Sequence, residues 1–139
     1  KRLDWYVMFH LNNQGVIPFG MIRPEKYMEW DKHANTRINT GLLAILDVLS
    51  SDAEEVYIKG FTFFKDGYIN HYRNKIGGKE TSEEHSTQAA LSYMDKYKIH
   101  DQEKQWNFFK QFIQNAKIKS KLKMDESLTN IMELTSYYS

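Results

Sequence analysis

Apolar and polar positions follow two different periods along the chain, and the switches between them mark its elements. Residues 4–11 (DWYVMFHL) form a near-continuous apolar run rich in β-formers, which predicts a buried strand. The Asn12-Asn13-Gln14-Gly15 cluster breaks it, and residues 16–23 predict a second short strand closed by Pro24. After the proline, residues 25–30 predict a helical turn with Tyr27 and Trp30 on one side. Residues 31–39 are polar and show no settled period. Leu42, Leu43, Ile45, Leu46, Val48 and Leu49 then cover so much of a helix that it must be largely buried, with Asn39 or Thr40 as its natural N-cap. Residues 56–59 predict a short strand, and Gly60 lets the backbone leave it under close approach from another group.

Residues 61–78 (FTFFKDGYINHYRNKIGG) read as a loop with Asp66-Gly67 and Gly77-Gly78 as turn signals. Thr81 with Glu84 makes a capping-box pattern that opens a helix over residues 81–98, with Ala90, Leu91 and Met94 inward. Another helix starts near Asp101, where Trp106, Phe109, Phe112 and Ile113 repeat at helical spacing. The alternation in residues 117–122 predicts a strand, and Asp125 caps a last helix through Leu128, Ile131, Met132 and Leu134. This order predicts a single α/β domain over residues 1–139. Ligands of open α/β sheets sit at the C-terminal ends of strands, against helix N-termini. The turns at 39–41 and 60–62 therefore fall on the rim where chemistry is expected.

Composition narrows the classes. With 41% hydrophobic and 27% charged residues the chain belongs among ordinary globular proteins rather than disordered ones. Net charge of +1 gives no global case for nucleic acid, and the lysine run at 117–123 (KIKSKLK) fits a strand with a solvated lysine face better than a phosphate-tracking patch. The absence of cysteine removes disulfides, thiolate catalysis and Cys-based zinc sites. No run of about 18 apolar residues is present to span a membrane, and the first ten residues lack the apolar core of a signal peptide. A cytoplasmic protein, or one peripheral at a membrane, is the expectation. Opening on Lys1 rather than Met reads as a processed or partial chain.

Phosphate-loop, dinucleotide and nucleophile-elbow motifs are all missing. The five histidines, His10, His33, His71, His85 and His100, show no metal-type spacing, so no metal site is expected. His85 reads as a solvated surface residue. His100 stands at the junction between two helices, where it is either a proton acceptor for hydroxyl chemistry or a loop histidine without a role. Tyr68, Tyr72 and Arg73 either bind a phosphate through phenol and guanidinium donors or form a packed aromatic loop with a surface arginine. The Asn39-Thr40-Gly41 turn suits an anion because it begins a helix.

The turn Asn39-Thr40-Gly41 followed by LLAILDVL, and the strand VYIKG leading into FTFF, resemble the sialyltransferase-type glycosyltransferases. His100-Asp101-Gln102-Glu103, heading the helix KQWNFFKQFI and followed by KIKSKL, is similar to that family's histidine motif. The resemblance covers residues 39–134. It implies a Rossmann-like three-layer domain, a short mostly parallel sheet flanked by helices, either as the C-terminal part of a larger GT-A-like enzyme or as a compact form. It also implies a metal-independent, inverting transfer of sialic acid or a related sugar from a CMP-activated donor to a glycan acceptor. Asn39, Thr40, Gly41, Gly60, Phe61 and Thr62 would contact the nucleotide-sugar, with the loop tyrosines Tyr68 and Tyr72 at the leaving phosphate and His100 either as general base on the acceptor hydroxyl or as a phosphate contact. The alternative is a non-catalytic α/β module that binds a glycan or protein partner through the aromatic loop 61–73.

Overall fold

The computed structural model describes residues 22–65, 75–76, 79–80 and 100–138. A proline fits the first turn of a helix, where its missing N–H has no partner to lose, and α1 (Pro24–Ala34) starts at Pro24. The helix runs past the 25–30 turn expected from the sequence. Trp30 and Ala34, one turn apart, both face the core, and Asn35 closes the helix in a left-handed conformation with φ of 49°. The segment after it is also fixed, because the Asp31 carboxylate accepts from the Ile38 N–H at 2.8 Å.

In α2 (Thr40–Leu49), the choice of cap falls on Asn39, whose side chain accepts from the Leu42 N–H at 2.8 Å. Leu42, Leu46 and Leu49 form one fully buried row, whereas Val48 is 48% exposed, so the helix is buried on one side and not all round. The strand β1 (Val56–Ile58) turns Val56 and Ile58 inward and Tyr57 outward. The two-residue strands β2 (Lys75–Ile76) and β3 (Lys79–Glu80) pair antiparallel on either side of the Gly77-Gly78 turn signal, so the expected loop 61–78 ends in a strand.

Asp101 caps α3 (Gln102–Phe112) by accepting from the Lys104 N–H, and Trp106, Phe109 and Ile113 lie inward as their spacing requires. Phe112 is only half-buried, beside Phe108. The strand expected at 117–122 is α4 (Ala116–Lys121), and the strand β4 (Leu122–Met124) begins after it. Asn115 caps the helix through the Lys117 N–H, and the buried residues Ile118 and Lys121 lie one turn apart on its inner side. The lysine face is correspondingly not all solvated. Lys121 is 6% exposed and donates through Nζ to the Ser51 carbonyl at 2.7 Å. The last helix, α5 (Glu126–Glu133), is capped by Asp125 as expected and buries Leu128, Ile131 and Met132.

Parallel strands need a long crossover. Here β1 and β4 pair in parallel with Val56 opposite Leu122, Tyr57 opposite Lys123 and Ile58 opposite Met124, with α3 and α4 in the connection. The core between helices and sheet gathers Leu42 and Leu46 of α2, Phe109 of α3, Leu128 of α5, Ile58 and Phe63. Helices α3 and α5 are joined where α5 runs out of intrahelical partners for its carbonyls. Trp106 Nε1 donates to the Ile131 carbonyl at 3.0 Å and Lys110 Nζ to that of Leu134 at 2.7 Å. Among the described residues the architecture is mixed α/β, with five helices and a two-stranded parallel sheet. No described helix is long and apolar enough to cross a membrane. The strand expected at 4–11 and the helix expected at 81–98 lie outside the described residues. So does the strand expected at 16–23, apart from Ile22 and Arg23, which are in no strand.

Replacing Leu46 by Ala removes a fully buried side chain from the middle of this core. The expected loss is about 3 kcal/mol, read as a lower urea midpoint with unchanged denaturant slope.

Candidate functional site

The C-terminal ends of β1 and β4 lie side by side, and one carboxylate fills the gap between them. The Asp125 N–H donates to the Ile58 carbonyl at 3.1 Å, which continues the ladder by one bond. Its Oδ2 accepts from the Gly60 N–H at 2.8 Å and its Oδ1 from the Leu128 N–H at 2.9 Å. The Gly60 N–H first, then that of Leu128, and more weakly the Lys59 ammonium, hold this carboxyl below the usual carboxylate value. The rim amide expected to face a nucleotide is thus already bonded to a carboxylate. The glycine at 60 is explained by its φ of 72° and not by close approach, since an added Cβ would meet nothing within 4 Å.

Close approach occurs at Gly41 instead. A Cβ there would lie 3.1 Å from Cε2 of Phe61, so the ring rests on the first turn of α2. The expected turns Asn39-Thr40-Gly41 and Gly60-Phe61-Thr62 are in this way brought together. Phe61 packs edge-on to Phe63, with ring centroids 4.7 Å apart, and Phe63 in turn reaches Phe109 of α3 at 5.7 Å. Phe63 and Phe64 both adopt left-handed backbone, with φ of 50° and 61°. That conformation costs about 1–2 kcal/mol for each residue bearing a Cβ, so it has to be imposed from outside the turn. The Lys65 N–H closes the turn onto the Thr62 carbonyl, and the Tyr137 hydroxyl donates to the Phe63 carbonyl at 2.7 Å. Lys65 Nζ completes the clasp by donating to the Tyr137 carbonyl.

His100 stands one residue before the Asp101 cap. Its Nδ1 lies 2.9 Å from the Arg37 carbonyl. A carbonyl only accepts, so Nδ1 carries a proton, and in the neutral ring the lone pair is then on Nε2. Two further bonds bind the start of α3 to the approach of α2. The Asp101 N–H donates to Thr36 Oγ1 at 3.2 Å, and the Asn39 N–H donates to Oε1 of the fully buried Gln105 at 2.9 Å. His100 is therefore held two residues from the Asn39-Thr40-Gly41 turn by a hydrogen bond to Arg37. Beside this junction, Nδ2 of Asn39 and Oε1 of Gln102 are buried without hydrogen-bond partners among the described residues. Tyr68, Tyr72 and Arg73 lie outside the described residues, as do His10, His71 and His85, while His33 is exposed on the last turn of α1. Among the described residues no cluster of three His, Cys, Asp or Glu side chains is placed to hold a metal ion.

Gln105 and Gln102 carried a signal in the sequence, since they occupy the inward row that continues to Phe109, where a polar side chain needs a buried partner. Asp125 was expected only as a cap. Tyr137 carried no local signal at all, because its partner lies 74 positions away.

Asp125→Asn removes one of two acceptor oxygens and sets an NH₂ group against a backbone N–H. Because the folded carboxyl lies below its ordinary value, its stabilisation is present above that value and lost as the pH falls through the folded one. The variant is expected to melt below the native protein at pH 7, with the gap narrowing under about pH 4, as thermal scans across pH would read. Burial first, then the charges of Tyr138 and Asp101, push the Tyr137 phenol up from 10.0 to about 12. The fold favours the neutral phenol, so this stabilisation is complete below pH 10 and is lost as the pH rises toward about 12. In denaturant titrations the alkaline loss is expected in the native protein and absent from Tyr137→Phe at that position.

The chain matches no protein-family model, no curated protein and no solved structure.

Proposed function

We propose that this chain is a metal-independent, inverting glycosyltransferase domain of the sialyltransferase type, which moves sialic acid or a related sugar from a CMP-activated donor to a glycan hydroxyl. The observation that carries the proposal is His100, held by its Nδ1–H to the Arg37 carbonyl with Nε2 left as a base, next to the α2 N-terminus on which Phe61 packs. The bond of His100 to Arg37, two residues before the Asn39-Thr40-Gly41 turn, supports this reading. A Rossmann-like sheet, of which β1 and β4 would be two strands, belongs to the same proposal.

Each group then has a role. Nε2 of His100 takes the proton from the acceptor hydroxyl as its oxygen attacks the anomeric carbon. The bond from that carbon to the phosphate oxygen breaks, and CMP leaves with the electron pair. The first turn of α2, with Asn39, Thr40 and Gly41, faces the charge of the donor. Phe61 and Thr62 bound the nucleotide beside Gly60. Tyr68, Tyr72 and Arg73 stabilise the departing phosphate by hydrogen bonds, in place of a metal.

The Asp125 carboxylate favours a second reading, because it places negative charge where a nucleotide phosphate would meet Gly60. In that reading the chain is a non-catalytic module whose loop 61–73 binds a glycan or protein partner.

Calorimetry with CMP separates the two. Saturable CMP binding is expected, and its absence would sink the transferase proposal in favour of the module. His100→Ala is expected to keep CMP affinity while slowing donor hydrolysis by about a hundredfold or more. Unchanged hydrolysis in this variant would remove the role given to His100 and leave the binding role in place.

A further inference from the structure

We propose that Tyr137 is a positioning residue for the donor site, holding the Phe61 ring on the first turn of α2 through the left-handed turn at Phe63 and Phe64. The inference rests on the transferase reading, and it adds to that reading a residue outside the stretches that suggested the family.

The route is short and continuous. The Tyr137 hydroxyl donates to the Phe63 carbonyl at 2.7 Å, within a turn whose two central residues, neither a glycine, have φ of 50° and 61°. Neither residue has a conformational reason of its own to be there, so the turn needs an external constraint. Phe63, 1% exposed, is fixed between Phe109 and Phe61, and Phe61 lies against Gly41. Releasing the Phe63 carbonyl lets the turn relax toward ordinary backbone, and the Phe61 ring moves with it. Tyr137 also packs its ring against Trp106 of α3, with centroids 6.2 Å apart, while Lys65 Nζ donates to the Tyr137 carbonyl at 2.6 Å and lies 5.2 Å from its ring. The tyrosine is thus anchored on the helix that follows His100, and its hydroxyl acts on the other half of the candidate site. Binding sites commonly keep strained backbone where a side chain must be presented in one orientation, and preorganisation of that kind appears in affinity.

The test compares CMP affinity by calorimetry in the native chain, Tyr137→Phe and the double variant Tyr137→Phe/Phe64→Gly. Tyr137→Phe removes one hydroxyl and is expected to weaken CMP binding about fivefold, the fold-change of one ordinary net hydrogen bond. Hydrogen exchange at the Lys65 amide, which closes the turn onto Thr62, is expected to accelerate while the Leu46 amide stays protected. Glycine adopts positive φ freely, so the double variant is expected to regain affinity although it has lost the Phe64 ring. A purely structural tyrosine would show no such rescue. Unchanged affinity in Tyr137→Phe, or a loss that glycine at position 64 does not restore, overturns the proposal. A native chain that does not bind CMP overturns the transferase reading and this inference together, whereas native binding with no effect at Tyr137 overturns this inference alone.

Discussion

A parallel pair only three residues long contributes too few ladder bonds to stand alone, and in this chain Asp125 joins its two strands beyond their last paired residues. Its backbone N–H bonds to the end of β1, its two carboxylate oxygens accept from Gly60 and Leu128, and its carbonyl accepts from the Thr129 N–H. One residue therefore ends a strand, starts a helix and fixes the departure of the neighbouring strand. The register of β1 on β4 then carries Val56 and Ile58 to the core, and it determines where the aromatic turn leaves the sheet. The departure of the chain at Gly60 and the start of α5 follow from this one constraint.

Much of the helical framework was legible because its signals are local. Asn39, Asp101 and Asp125 each stand just before a periodic apolar row, and each accepts from the N–H three residues on. Residues 117–122 misled for an equally local reason. Ile118, Ser120 and Leu122 satisfy a period of two, while Ile118, Lys121 and Leu122 satisfy a helical face. Asn115 as cap and the pairing of Lys121 with Ser51 decide between them, and neither is visible in an alternation. Gly60 was singled out for close approach but serves a positive φ, and Gly41, singled out as part of a helix start, is where a ring comes close.

The candidate site was legible in its helix starts and strand ends, and not in the bonds that join them. Asn39 to Gln105, His100 to Arg37 and Phe63 to Tyr137 each span more than sixty positions. No periodicity connects such residues, and only packing does. The histidine illustrates the difference. Its place before a helix was evident from sequence, but its tautomer depends on a carbonyl contributed by another segment. Electrostatics divides the site in a way that the rim argument alone did not suggest, with an imidazole and a capped helix N-terminus on one side and a carboxylate on the other.

The clasp between Tyr137 and Phe63 has a consequence for the order of assembly. Residue 63 cannot acquire the bond that holds its turn until the chain has been made and folded as far as residue 137. Contacts of such sequence separation form only after the intervening loop has been closed. During synthesis, the aromatic turn therefore waits for α3, α4, β4 and α5, so the surface it presents is finished only after everything between has been placed.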